Sequence, residues 1–142
     1  METSKYALLV APFAGWIVAQ FIKFIFTLRK DGISLHDAIQ SGGMPSSHTA
    51  IMSSISAAIG ITEGIDSVAF ALSIALTAIV IYDATGVRRT TGEQTVAIKS
   101  IAKKVGIKAP MLPHDARGHS PIEVVAGALV GTITGILTVV IL

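Results

Sequence analysis

Three short stretches hold most of the residues in this chain that could do chemistry on an anion. The first, Pro45-Ser46-Ser47-His48, follows a Gly42-Gly43 approach and runs into an apolar segment. Serines at a helix start leave free backbone N–H groups beside the positive end of the helix dipole, which suits an anion. An ordinary helix cap by Ser46 or Ser47, with His48 incidental, would use the same residues. The second stretch, residues 83–94, opens on Asp83 and contains Arg88-Arg89. Adjacent guanidinium groups can grip a phosphate by paired hydrogen bonds. They could equally be topogenic charge, with Arg89 and Glu93 as a surface pair four apart. The third stretch is His114-Asp115-Ala116-Arg117-Gly118-His119-Ser120-Pro121-Ile122-Glu123. Ser120-Pro121-Ile122-Glu123 is a capping box with proline at the first helical position, which accounts for Glu123 structurally. Yet His119 and Glu123 are four apart, so one helical turn can join carboxylate and imidazole. A carboxylate on one ring nitrogen orients the other as a nucleophile.

Membrane helices must position these groups. Of the 142 residues, 51% are hydrophobic and 14% are charged, against about 25% charged in a typical soluble domain. The length suits a single membrane domain, residues 1–142. Apolar segments cover residues 6–28, 49–61, 65–82 and 121–142. The first and last are long enough to span, at about 1.5 Å per residue against a core of roughly 30 Å. Arg29-Lys30 closes the first as an anchor is closed, and Lys23 within it is expected to snorkel to the interface. The second is too short to span unaided and is rich in Ser, Ala and Gly, so it suits helix packing better than lipid contact. The third is expected to extend toward the polar stretch after Tyr82. The fold class is therefore all-α: an integral membrane bundle of about four helices, the second short and partly buried. Gly127, Gly131 and Gly135 form a ridge on the last helix that lets another backbone approach closely. A second copy of the chain, making a homodimer, is one candidate for that partner.

Four helices place the polar stretches 29–47 and 83–118 on one side of the bilayer. Nine of the eleven Lys and Arg fall there: Arg29, Lys30, Arg88, Arg89, Lys99, Lys103, Lys104, Lys108 and Arg117. The positive-inside rule then makes the loops cytoplasmic in a multi-pass cell-membrane protein. Cysteine is absent, which excludes disulfides and thiolate metal sites. A net charge of +2 gives no bulk electrostatic reason to expect nucleic acid.

Pro45-Ser46-Ser47-His48 followed by His119-x-x-x-Glu123 resembles the type-2 phosphatidic acid phosphatase superfamily, which includes acid phosphatases and vanadium haloperoxidases. The closer likeness is to its divergent, small membrane branch. Residues 41–50, 83–94 and 118–127 carry the match, and the helices around them extend it over essentially the whole chain. Ser47 replaces a usual glycine and Glu123 a usual aspartate, and Pro113 stands where an arginine is usual. Lys23 and Arg29 are one residue too close for the usual first motif and lack its proline. The resemblance implies metal-independent hydrolysis of a lipid phosphomonoester or diphosphate through a phosphohistidine. His119 would be the nucleophile, Glu123 its orienting group, and His48 the general acid and base. Arg88, Arg89, Ser46 and Ser47 are the expected phosphate ligands, with Asp83, Arg117 and Gly118 in support. No metal or other cofactor is expected. The other readings are an anion-binding or transport protein that keeps the pocket without turnover, and a structural membrane subunit working through the glycine ridge.

Overall fold

The computed structural model describes residues 3–28, 43–106 and 118–142. Arg29, Pro113, Asp115 and Arg117, named above for their chemistry or motif position, lie outside the described residues. The described residues form helices joined by short connections. Helix α1 covers Thr3–Leu28, α2 Ser47–Thr62 and α3 Val68–Tyr82. A π-helical turn over Asp83–Val87 leads directly into α4, Arg88–Lys104, and α5 covers Pro121–Ile141. The third helix thus continues into the polar stretch after Tyr82, as the sequence allowed, and runs as far as Lys104. The helix Val68–Lys104 is continuous over 37 residues, about 55 Å at the ordinary rise. Among the described residues, three helices are long and apolar enough to cross a membrane: Tyr6–Thr27, Val68–Lys104 and Pro121–Ile141. α2, at 16 residues and with no helical continuation, is too short to be one of them.

The helix ends follow their sequences. Ser46 caps α2, its side chain accepting from the Thr49 N–H at 3.5 Å, and Ser67 caps α3 by accepting from the Phe70 N–H at 3.1 Å. Gly64, at φ +92°, makes the α2–α3 turn in a conformation that other L-residues avoid. In α5, Pro121 takes the first helical position and Glu123 reaches back to the Ser120 N–H at 2.9 Å.

α2 lies at the centre and packs against α1, α3 and α5. Its small residues admit α1 and α5 to backbone contact. A Cβ added at Gly127, Gly131 or Gly135 would land on the carbonyl oxygen of Ser46, Ala50 or Ser54 respectively. Contact this close lets Cα–H groups face carbonyls and removes lipid from between the helices. From the other side, a Cβ at Gly15 of α1 would come 2.8 Å from the Ser54 Cβ and 3.0 Å from the Ala50 oxygen. The glycine ridge of α5 is therefore filled by α2 of the same chain.

Hydroxyls inside the bundle are paired, as a low-dielectric interior requires. Ser54 donates to the Ala11 carbonyl at 2.7 Å, and Ser56 and Thr77 share a bond of 3.0 Å between α2 and α3. The apolar side chains on the outside, including Phe13, Leu72, Ile79 and Leu129, face the surroundings. This inside-out distribution fits a lipid solvent.

Candidate active site

Chain alternation brings five element ends to one end of the bundle: the end of α1, the start of α2, the π-turn, the start of α4 and the start of α5. Three hydrogen bonds tie them together. The Ser46 N–H donates to the Glu123 carbonyl at 3.0 Å, joining α2 to α5. The His119 N–H donates to the Ala84 carbonyl at 3.0 Å, joining the approach of α5 to the π-turn. The Ser47 hydroxyl donates to Gln20 Oε1 at 3.1 Å, joining α2 to α1. Gly118 adds a steric condition, because a Cβ there would fall on the backbone of Arg89. The glycine lets the segment carrying His119 pass directly over the start of α4.

His119 is buried, and its Nδ1 lies 3.3 Å from Glu123 Oε2. The same carboxylate oxygen accepts the Ser120 N–H. Glu123 thus caps the helix and orients the ring at once, and its contact with Nδ1 leaves Nε2 as the nitrogen able to attack. Burial holds the His119 pKa below its ordinary 6.5, with Glu123 opposing the shift and the charges of Lys23 and Arg88 adding to it. The ring is therefore mostly neutral at pH 7, the form a nucleophile needs.

His48, exposed on the first turn of α2, is close enough to His119 to feel its charge. Partial loss of surrounding water, then the positive charge of Arg88, holds its pKa below 6.5 as well, while Asp83 pulls the other way. Arg88 Nε meets Asp83 Oδ2 at 2.6 Å. Residues five apart do not face each other on an α-helix, but the π-turn between them closes its bonds over five residues, with the Arg88 N–H on the Asp83 carbonyl. Arg88, paired in this way with Asp83, is among the charges that lower the pKa of both histidines.

The other expected phosphate ligands divide. Arg89 Nε pairs with Glu93 Oε1 at 3.2 Å on the exposed side of α4, and it is absent from the charges acting on either histidine. Ser46 is fully buried, with its N–H on Glu123 and its hydroxyl accepting from Thr49 Oγ1 at 3.0 Å. Ser46 is thus engaged as the cap of α2 and as the joint to α5. Ser47 is half-buried at the first helical position, where its N–H has no partner within the helix.

Lys23 corrects an expectation. It does not snorkel outward; it is buried, and its charge acts on His48, His119 and Glu123. A Cβ at Gly43 would come 3.3 Å from its Cε. The sequence does hold a pattern that points to this. Ala7, Ala11, Gly15 and Ala19 recur every four residues, all buried, and Lys23 is the next member of that stripe. A cation on the packed face of a membrane helix points into the protein.

The profile of the divergent PAP2 family matches residues 4–134, taking in every element of the site. The chain belongs to the divergent PAP2 family. It is also 35% identical over 152 residues to the uncharacterized membrane protein YuiD of Bacillus subtilis (strain 168), covering 94% of this chain and 92% of that one. No solved structure matches. Membership, the membrane-protein relative and the three apolar helices among the described residues establish a multi-pass membrane protein of the divergent PAP2 family.

Proposed function

We propose that this divergent PAP2 protein hydrolyses a phosphomonoester or diphosphate carried by a membrane lipid, without a metal, through a phosphohistidine. The observation that carries the reading is the buried His119 held through Nδ1 by Glu123, with His48, Arg88 and Lys23 around it. His119 Nε2 attacks phosphorus, the bond to the leaving oxygen breaks, and protonated His48 supplies that oxygen with a proton. Neutral His48 then takes a proton from water, which attacks the phosphohistidine, releasing phosphate and restoring His119. Arg88, Lys23 and the Ser47 N–H stabilise the phosphoryl oxygens as charge shifts onto them. With cations in the role a metal would fill, activity should persist in chelator and be inhibited by vanadate, a mimic of five-coordinate phosphorus. The site lies at one end of a lipid-facing bundle, which suits an amphiphile whose head group reaches in.

The test is phosphate release from a panel of lipid phosphates by purified protein, with His119→Ala as the control. Equal release by that variant removes the nucleophile assignment. Binding of lipid phosphate by both proteins with no release by either would favour a non-catalytic anion-binding protein. The charge distribution further supports a site opening to the cytoplasmic side of the cell membrane. Single cysteines at Lys104 and Glu63, probed with an impermeant thiol reagent on intact cells, test that orientation. Labelling at 104 but not at 63 would reverse it.

A further inference from the structure

α4 differs from the other helices in having no buried residue. Ile98, Ile101 and Val105 are 53%, 60% and 66% exposed. At about 100° per residue they fall on one stripe, with Lys99 and Lys104 flanking it on either side and Lys103 behind. Val96 is the one large apolar residue on the basic side. α4 carries Arg88, Arg89, Lys99, Lys103 and Lys104 against a single acid, Glu93.

Length then locates this helix. Residues 68–87 are already enough to cross a core of roughly 30 Å, so α4 emerges at the level of the lipid head groups. The π-turn at the junction is a place where a helix can bend, and the space beside Gly86 is open. We infer that α4 lies along the surface of an anionic lipid leaflet, with Ile98, Ile101 and Val105 in the acyl boundary and Lys99 and Lys104 at lipid phosphates. Charge complementarity selects that occupant. A basic helix with an apolar stripe binds an anionic interface through both terms, whereas a neutral surface offers it only one.

The natural absence of cysteine makes the test direct. Single spin-labelled cysteines at Val96, Ile98, Ser100 and Ile101 of the full chain would be measured in nanodiscs of phosphatidylcholine, with and without one-third phosphatidylglycerol. With the anionic lipid, labels at 98 and 101 should collide mainly with oxygen, and labels at 96 and 100 mainly with a water-soluble nickel chelate. The contrast should weaken in phosphatidylcholine alone and in the Lys99→Glu, Lys104→Glu double variant. Equal nickel accessibility at all four positions in anionic discs would overturn the proposal. So would shielding of 98 and 101 from both reagents whatever the lipid charge, because that is what a second copy of the chain would produce.

Discussion

Helices α2 and α4 are nearly equal in length, 16 and 17 residues, and both begin at the candidate site, α2 with His48 on its first turn and α4 with Arg88. Six residues of α2 are buried and none of α4. The buried helix is also the more apolar one, yet the residues it buries are Ser, Thr and Ala, and its four isoleucines are not among them. Hydrophobicity alone therefore does not say which face of α2 is buried. Side-chain volume does, because small residues let α1 and α5 close on α2 from both sides, and each hydroxyl that enters finds a carbonyl or another hydroxyl. The site inherits this asymmetry. Groups on the α1, α2 and α5 side are fixed by packing, whereas α4 contributes Arg88 at its first residue and then leaves.

The largest effects should follow from the packed side. His119→Ala should cut turnover by orders of magnitude while the protein still folds, since in the proposed mechanism the ring is the nucleophile and its removal closes the covalent route. His48→Ala should do the same through loss of the proton donor. Lipid phosphate release by each variant, alongside its elution in detergent, measures both. Next in size is Gly131→Leu, which drives a side chain into the Ala50 backbone. Overpacking of this kind costs about 1–3 kcal/mol where neighbours can give, and a carbonyl in a helix gives little. The melting temperature in detergent should fall by many degrees. A Gly86→Ala change meets nothing within 4 Å and should leave it nearly unchanged. An unchanged melt for Gly131→Leu would show that the α2–α5 contact is not the tight one.

A smaller, pH-dependent effect follows from the two histidines. Both pKa values lie below 6.5, chiefly because burial and partial loss of water disfavour the charged rings. The proposed reaction needs His119 neutral and His48 protonated. As pH falls from 8, protonated His48 increases and kcat/KM should rise. Below the lowered pKa of His119 the nucleophile is lost and kcat/KM should fall again. The maximum is expected on the acid side of 6.5, and one above pH 7.5 would contradict these assignments.

How far the sequence could be read depended on whether helical periodicity was intact. The all-α membrane fold, the start of α5 at Pro121 and the pairing of His119 with Glu123 all follow from spacings of three and four, which an α-helix honours. Two features did not follow so easily. The π-turn over 83–87 breaks that spacing, so Asp83 and Arg88, five apart, gave no sign that they would pair. Lys23 was misplaced because a lone lysine near a helix end suits the interface. Only its membership of the stripe Ala7, Ala11, Gly15, Ala19 assigns it to the packed face. Ser46 shows a different limit, since sequence marks it as a cap but not as the residue whose N–H is taken by Glu123.

The smallest effect belongs to Arg89, and it sharpens the contrast within α4 itself. Arg88 and Arg89 are adjacent and identical in chemistry, so a general basic patch would make them interchangeable. Their surroundings differ: Arg88 is held by Asp83 and acts on both histidines, while Arg89 is tied to Glu93 on the solvated side. Removing a donor that stabilises transition-state charge costs on the order of a hundredfold or more, and Arg88→Ala should lose about that in kcat/KM. An exposed pair four apart contributes about 0.3–0.5 kcal/mol, so Arg89→Ala should change stability by no more than that and turnover by less than about threefold. Arg88→Lys should restore activity only in part, because an ammonium keeps the charge but not the planar fork that meets both Asp83 and a phosphate. Equal losses at 88 and 89 would mean that α4 supplies diffuse charge to the site, and the contrast between its first residue and the rest of its length would disappear.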